Sequence, residues 1–294
     1  MGRRRKQATT HGIAVVDKPS GVTSHDVVGM LRKRFDERQV GHAGTLDPDA
    51  TGVLVVAVGM ATKLLRFVEK TRKRYVGEVV LGVETSTLDA SGDITARHDM
   101  ADVTLDDVRR AAASFLGDIE QVPPMVSAIK VGGMRLHELA RAGIEVERPP
   151  RPVSISSLGV EPTADPLRFR IEVECSAGTY IRSLAADLGA SLGGGAHLAS
   201  LRRTAVGSFV IDDAAPPDRC ELLPVASAVA ALHRVEVGPE TASLIADGRV
   251  LPAWPGDGPW AVFDDADVLL AVYERFRGES AKPALVLPTA RRDG

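Results

Sequence analysis

Cysteine is scarce in this chain of 294 residues, which contains only Cys175 and Cys220. Two cysteines exclude a disulfide-rich scaffold and a zinc site built from several cysteines, and they suit a reducing compartment. No apolar run reaches the roughly 18 residues that a membrane-spanning helix needs. The opening residues, MGRRRKQATTHG, are not followed by the apolar segment of a secretory signal. We therefore expect a cytoplasmic protein that does not associate with a membrane.

Several common catalytic motifs are missing as well. The sequence has no phosphate-binding loop of the form G-x-x-x-x-G-K-[ST], and no G-x-G-x-x-G pattern opens a helix after a strand. It also lacks the H-E-x-x-H pattern of zinc peptidases and the G-x-S-x-G pattern of hydrolases. The three glycines at 193–195 are better explained as the end of a helix than as a phosphate cradle.

The charge is distributed unevenly, although the formal net charge is only −3. Residues 1–75 carry 15 Lys and Arg against 7 Asp and Glu, whereas residues 76–294 carry 21 against 32. A local basic field can steer a polyanion even when the whole molecule is acidic. On charge alone, two interpretations of the basic residues in 1–75 are equally open: a surface that binds nucleic acid, or a solvated helix face with a basic tail.

Hydrophobic patterning predicts two folded parts. Residues 1–10 are expected to form a disordered basic arm, and residues 11–232 a first body of strands and amphipathic helices. Strands are predicted at 12–17, 52–59, 75–83, 169–175 and 205–211, and helices at 24–35 (capped by Ser24), 61–69, 104–116, 134–142, 181–192 and 225–232. The stretches 40–48 and 85–103 are expected to be loops. Residues 233–294 carry short apolar segments separated by Gly, Pro and Asp, which predicts a small β-rich module.

One loop stands out as a candidate for chemistry. The segment Gly41–Leu54 reads GHAGTLDPDATGVL and places Asp47 between glycines, before Pro48 and a buried strand. Because the proline holds Asp47 in an extended conformation, a carboxylate anchored there is a plausible nucleophile. Spacing alone favours the simpler interpretation, in which the Asp47 side chain only satisfies backbone donors of a turn.

This loop resembles the catalytic motif of pseudouridine synthases, and specifically that of the TruB family. Further blocks similar to that family occur in order over about 200 residues: Asp17–Ser24 (DKPSGVTS), Lys73–Tyr75 (KRY), Gln121–Pro124 (QVPP) through Ser127–Lys130 (SAIK), Cys175–Leu184 (CSAGTYIRSL), Gly195–Leu198 (GAHL) and Leu201–Thr204 (LRRT). A chance match at this density is very improbable. The resemblance therefore favours the nucleophile over the turn at Asp47.

The resemblance implies a fold and a reaction. The fold is α+β, with a mixed, mostly antiparallel sheet in the catalytic domain, helices packed on it, an RNA-contacting insertion at about 121–152, and a small PUA-like RNA-binding domain at 233–294. The reaction isomerises uridine 55 in the T loop of tRNA to pseudouridine. It requires neither a metal nor an organic cofactor. The expected partner is the T arm of tRNA, and the chain is expected to be a monomer with no obligate protein partner.

The resemblance also assigns roles to individual residues. Asp47 is the nucleophile, and Arg182 is its ion-pair partner. Tyr75 stacks on the target base, and Tyr180 and Leu201 line the uracil pocket. His42 lies beside the catalytic loop and occupies space vacated when RNA bases move, whereas Lys18 is either structural or supports the loop. Since a stacked base cannot reach a carboxylate, the uridine must be flipped out.

Contacts with RNA phosphates are predicted along a dense basic stretch next to Tyr75. The predicted contacts are Lys63, Arg66, Lys70, Arg72, Lys73 and Arg74, with Arg202 and Arg203 as an extension. Two departures from the family affect the insertion, because Val126 and His137 stand where the family has tyrosines. Aromatic stacking by that segment is therefore in question.

Two other functions remain open. A non-catalytic tRNA-folding chaperone would share the basic surface but would not need Asp47. A guide-RNA-dependent pseudouridine synthase would normally carry a longer RNA-binding tail, which the short acidic C-terminal region does not favour.

Overall fold

The computed structural model describes residues 9–127, 130–131, 134–135, 144 and 146–288. Within these residues, the first body is a sheet with strand order β1-β3-β12-β4-β11-β10-β7, with β2 paired to β3 and β13 paired to β12. Its strands are β1 Gly12–Lys18, β2 Val40–His42, β3 Thr51–Val58, β4 Lys73–Leu81, β7 Gly117–Gln121, β10 Arg151–Pro162, β11 Arg168–Cys175, β12 Ala196–Val206 and β13 Phe209–Val210. All the pairings are antiparallel except that of β12 with β3. The mixed, mostly antiparallel sheet is therefore confirmed.

Helices and short hairpins flank this sheet. The helices are α1 Ser24–Arg34, α2 Leu65–Glu69, α3 Leu105–Ala113 and α4 Ile181–Ser191, and 3-10 turns span Gly59–Leu64, Ile211–Asp213 and Val225–Val229. The hairpins pair β5 Val83–Thr85 with β6 Ile94–Arg97, and β8 Lys130–Val131 with β9 Met134–Arg135. No helix among the described residues is long and apolar enough to cross a membrane.

Helix α1 begins with a capping box, which explains where it starts. The Thr23 side chain accepts a hydrogen bond from the backbone of Asp26, whose carboxylate accepts one in return from the Thr23 backbone. The prediction that Ser24 caps this helix was wrong. Ser24 is instead the first helical residue, and its buried hydroxyl bonds both the N–H and the carbonyl of Leu46. The hydroxyl thus ties α1 to the loop that carries Asp47.

Close backbone packing explains one glycine of that loop. Gly52 has φ +99°, and a Cβ added there would lie 2.2 Å from the carbonyl oxygen of Arg203. The clash arises because β12 runs parallel to β3, with Arg203 opposite Gly52. Only glycine permits this approach.

Several predicted boundaries need correction. The stretch 85–103 is not all loop, because β6 lies in it and pairs with β5, and 40–48 begins with β2. The strand predicted at 205–211 is two strands: β12 starts at Ala196, and Gly207, with φ +56°, turns the chain into β13. Met134–Arg135 is a strand rather than the start of a helix. Residues 136–142, including His137, and residues 1–8 of the predicted arm lie outside the described residues.

A second sheet follows from residue 233. Its strand order is β14-β16-β17-β18-β15, formed by β14 His233–Glu236, β15 Leu251–Pro252, β16 Trp260–Phe263, β17 Leu269–Arg275 and β18 Ser280–Val286, with helix α5 Pro239–Ala246 beside it. The β-rich character predicted for this region is confirmed. The placement of a domain boundary near residue 233 stays a prediction.

The two sheets share a hydrophobic core. Phe263, Leu269 and Val272 of the second sheet are buried in the same cluster as Leu64 and Phe67 of the first body. Arg66 adds a polar contact, since its guanidinium donates to the carbonyl of Ala284. The C-terminal sheet is therefore packed into the molecule rather than tethered to it.

This shared core predicts that the two sheets unfold together. Phe263 is 6% exposed, so Phe263→Ala is expected to lower the free energy of unfolding by about 3–5 kcal/mol. Phe276→Ala, at a residue that is 39% exposed, should cost only about 0.5 kcal/mol and serves as the matched control. Urea unfolding followed by fluorescence and circular dichroism should give a single transition for all three proteins. Two separate transitions would contradict the shared core.

Candidate active site

The loop that carries Asp47 is clamped on both sides of that residue. On one side, Leu46 is held by Ser24. On the other, the buried ammonium of Lys18 donates to the carbonyls of Pro19, Val22 and Pro48 at 2.7–2.9 Å. Lys18 therefore supports the loop through its backbone, which agrees with one of the two roles considered for it.

Arg182 forms a two-point ion pair with Asp47. Its Nε lies 3.0 Å from Oδ2 of Asp47, and its Nη2 lies 3.2 Å from Oδ1. The same guanidinium donates to the carbonyls of Thr87 and Val126 and lies 3.5 Å from a carboxylate oxygen of Asp89. The Arg182 side chain is only 6% exposed, whereas Asp47 retains 42% exposure. The carboxylate thus remains accessible while its partner is fixed.

Opposing effects act on the pKa of Asp47. Burial raises the pKa of this carboxyl above its ordinary value, and the charge of Asp89 acts in the same direction. The Arg182 guanidinium, through its charge and its hydrogen bond, acts against this rise. The net direction is upward.

Asp47 lies in a cleft of about 280 Å³, near the lower end of the roughly 300–1,000 Å³ typical of small-molecule sites. A cleft of this size suits a single base better than a large ligand. It brings together residues from the loop, β4, β12 and the start of α4: Gly44, Thr45, Leu46, Asp47, Glu69, Lys73, Tyr75, Ser127, Ala177, Gly178, Thr179, Tyr180, Ile181, Arg182, Leu201 and Arg203.

Three of the predicted pocket residues line this cleft beside Asp47. Tyr75 comes from β4, Leu201 from β12, and Tyr180 is the residue that precedes α4. The amide of the buried Gln121 fixes the Tyr180 backbone: its Oε1 accepts from the N–H at 2.7 Å, and its Nε2 donates to the carbonyl at 3.0 Å.

His42 is not among the residues that line the cleft. It ends β2, and its Nδ1 is buried with no hydrogen-bond partner among the residues that the structure describes. Burial lowers the pKa of the imidazole, as does the nearby charge of Arg203. The role implied for His42 by resemblance stays a prediction.

Two of the predicted phosphate contacts are inside the protein. Arg203 is 1% exposed, and its guanidinium donates to the carbonyls of Val53 and Gly44. Lys73 is 5% exposed, and its ammonium donates to the carbonyls of Glu69 and Thr71. The prediction of surface phosphate contacts was wrong for both, because strand geometry turns these side chains inward to line the cleft.

The other predicted phosphate contacts differ in their surroundings. Lys63, Arg66, Lys70, Arg72 and Arg74 are exposed. Arg66 has a carboxylate oxygen of Glu274 at 3.6 Å, and Arg202 forms an ion pair with Asp17 at 2.8 Å. Arg66 and Arg202 are thus partly engaged within the protein, whereas the other four exposed cations form no ion pair among the described residues, and their contact with phosphates stays a prediction.

Sequence reasoning missed two residues that shape the site. Asp89 was placed in an acidic loop and Gln121 was quoted only as part of a motif, yet one flanks Arg182 and the other fixes Tyr180. Both act through partners 59 or more positions away, so no local pattern identifies them. The one weak indication of a buried role for Gln121 is that this polar residue immediately precedes an apolar Val-Pro-Pro segment.

Comparisons with known proteins agree with this geometry. Residues 32–181 match the family model for the N-terminal domain of TruB family pseudouridylate synthases, and residues 182–216 match that of a tRNA pseudouridylate synthase B C-terminal domain. The chain is 46% identical to a tRNA pseudouridine synthase B of Streptomyces coelicolor, over 95% of this chain and 98% of the relative. It is 48% identical to one of Corynebacterium aurimucosum, over 86% and 88%.

A solved structure shares the fold. The crystal structure of a Cbf5-Nop10-Gar1 complex contains a chain that is 25% identical to this one and superposes with a TM-score of 0.72, covering 94% of this chain and 84% of the other. This similarity confirms the predicted fold class.

The raised pKa of Asp47 predicts a pH-dependent effect on stability. The folded state holds the carboxyl proton more tightly than the unfolded chain does, so this stabilisation is complete below the ordinary aspartate pKa. It is lost as the pH rises through the raised folded-state pKa. Asp47→Asn should therefore gain stability relative to the wild type as the pH rises from below the ordinary aspartate pKa through the raised folded-state pKa.

Urea unfolding of both proteins at several pH values measures this difference. If the Asn variant instead lost stability relative to the wild type as the pH rose, Arg182 would be lowering the pKa of Asp47 more than burial raises it.

Proposed function

The chain belongs to the TruB family of pseudouridylate synthases, and on this basis we propose that it isomerises uridine 55 in the T loop of tRNA to pseudouridine. The observation that carries the proposal is the Asp47–Arg182 ion pair in a cleft sized for one base. A carboxylate held at two points by a buried arginine can act on the target nucleotide without moving. The curated relatives named above support tRNA as the substrate.

The lining of the cleft fits the proposed roles of its other residues. Tyr75 offers an aromatic face to a flipped uracil, and Leu201 an apolar surface. Tyr180 is fixed by Gln121, so the pocket is preorganised on that side. The N1–C1′ bond between base and ribose breaks, the base turns, and C5 forms the new bond to C1′. Because reactant and product are isomers, the reaction needs no net oxidant or reductant.

We extend the proposal to the setting in which the chain works. Its partner is the T-arm stem-loop of tRNA, it acts as a monomer without an obligate protein partner, and its compartment is the cytoplasm. The exposed cations Lys63, Lys70, Arg72 and Arg74 lie close in sequence to Tyr75 and favour contact with phosphates beside the cleft.

Release of tritium from C5-labelled uridine tests the reaction directly. The purified wild type should release tritium from an unmodified T-arm RNA, because the C5 proton is replaced by the bond to ribose. Asp47→Asn should release none, because an amide is not a nucleophile of comparable strength. The assay contains no other protein and no guide RNA.

RNA binding by the two proteins provides the control. Binding by both, with release by the wild type alone, supports the enzyme. Binding without release by either would favour the tRNA-folding chaperone, and release only after a guide RNA is added would favour the guided synthase.

Removing exposed cations should weaken RNA binding through the phosphates. For Arg72→Gln combined with Arg74→Gln, we expect a lower affinity for RNA. The slope of the logarithm of the binding constant against the logarithm of the salt concentration should decrease in magnitude by about 1 for each lost phosphate contact. The control combines Arg110→Gln with Arg170→Gln, which removes the same charge from exposed ion pairs elsewhere. Filter binding at several salt concentrations measures both. An unchanged slope in the first variant would refute phosphate contact by this surface.

A further inference from the structure

The cations that line the cleft differ in how their charges are compensated. The charge of Arg182 is matched by Asp47 and Asp89. Lys73 and Arg203, in contrast, are buried and bond backbone carbonyls. Among the described residues, neither of these two cations has a carboxylate oxygen within ion-pair distance. Buried cations without a counter-charge are costly, so their presence beside a reacting base calls for a function.

Strand geometry places both cations next to Tyr75. Lys73 and Tyr75 are two positions apart on β4 and therefore share a face of the sheet. Arg203 of β12 pairs directly with Tyr75 across the strands, and its charge acts on the tyrosine hydroxyl, whose pKa it lowers against the larger raising effect of burial. All three residues line the cleft. We call Lys73 and Arg203 the cationic floor.

The neighbours of the cationic floor do not neutralise it. Cys175 lies opposite Lys73 on β11, and burial raises the pKa of its thiol to about 11, so it is uncharged at neutral pH. Glu69 also lines the cleft, but it is an exposed residue and contributes its carbonyl, rather than its carboxylate, to Lys73. The ammonium of Lys73 has three N–H donors, of which the two described bonds use two.

We propose that the cationic floor stabilises the negative charge that the uracil ring carries while it is detached from the ribose. The inference rests on the proposed function and deepens it. When the N1–C1′ bond breaks, its electron pair stays with the base, so the ring becomes an anion and C1′ is left electron-deficient. The ring turns, C5 bonds C1′, the C5 proton leaves, and N1 takes up a proton. Whether Asp47 first attacks the base or the sugar, negative charge accumulates on the ring.

The test compares two RNAs that differ in the stability of this anion. One T-arm RNA carries uridine at the target position, and the other carries 5-fluorouridine, whose electron-withdrawing fluorine stabilises a ring anion. Single-turnover rates at saturating enzyme are measured by nuclease digestion and chromatography, which quantify the loss of the original nucleoside in both RNAs. Affinity is measured separately in an Asp47→Asn background, so that turnover does not interfere.

Lys73→Met removes the charge but keeps a side chain of similar length. We expect it to slow conversion of the uridine RNA on the order of 10²-fold, the scale seen when one charge-stabilising donor is lost. Its affinity for RNA should stay within about twofold, because the ammonium is buried away from phosphates. On the 5-fluorouridine RNA the loss should be about tenfold smaller, because that anion needs less stabilisation. Arg170→Met, which removes an exposed cation from β11, should leave both rates unchanged.

Three results would overturn the inference. Equal losses on the two RNAs would indicate a structural role for Lys73. A weakened affinity with a reduced salt slope would indicate phosphate contact instead. A wild type that converts neither RNA would overturn the proposed function and this inference with it, whereas either of the first two results in an active enzyme overturns the inference alone.

A second variant keeps the test decisive if Lys73→Met does not fold. Burial and the charge of Arg203 together lower the pKa of Lys73 to about 8, with the charge of Glu69 acting in the opposite direction. The wild-type rate should therefore fall as the pH rises through about 8 and the ammonium loses its proton. Lys73→Arg keeps its charge at higher pH, so the alkaline limb of its pH–rate profile should move to higher pH. An identical alkaline limb in both proteins would refute the role of the charge.

Discussion

The site depends on one buried guanidinium. Arg182 bonds Asp47 at two points, the carbonyls of Thr87 and Val126, and lies beside Asp89. These partners come from the loop that carries Asp47, from the segment between β5 and β6, and from the segment that follows β7. A planar group with five fixed donors can hold such a set, whereas a lysine ammonium with three donors cannot. The cost of burying the charge is offset only when all partners are in place, so the three segments are positioned together.

The loop that carries Asp47 is held mainly through its backbone. Lys18 bonds the carbonyl of Pro48, Ser24 bonds both backbone groups of Leu46, and Arg203 bonds the carbonyl of Gly44. These side chains come from β1, α1 and β12, so the loop is tied to three separate elements of the fold. Because these hydrogen bonds are made to backbone carbonyls and amides of the loop, they leave the Asp47 side chain available to the cleft. The first motif of the sequence therefore contributes to the site although it lies about 30 residues away from Asp47 in the chain.

Local patterns predicted the parts of the fold that local physics determines. The helix predicted from residue 104, which begins with a capping box between Thr104 and Asp107, the strand at 169–175 and the helix at 181–192 are all present. The resemblance brought Asp47, Tyr75, Tyr180, Arg182 and Leu201 together, and the structure places them in one cleft, although their roles stay predictions. The sequence could not reveal contacts between residues that lie far apart in the chain. Asp89 lies beside Arg182 only in the folded protein. The Ser24 hydroxyl bonds the backbone of Leu46, and Thr23 rather than Ser24 caps α1.

The basic stretch before Tyr75 shows why charge density alone misleads. Six cations within twelve residues suggest one continuous surface, but the alternation of a strand divides them. Arg72 and Arg74 are exposed, whereas Lys73 between them is buried in the cleft. Exposed charges are screened by salt over about 10 Å, so they can hold a polyanion but act weakly on a base inside the protein. A buried cation acts on that base with far less screening. Strand geometry thus separates neighbouring cations into exposed ones, for which we propose contact with the RNA backbone, and a buried one, for which we propose action on the reacting ring.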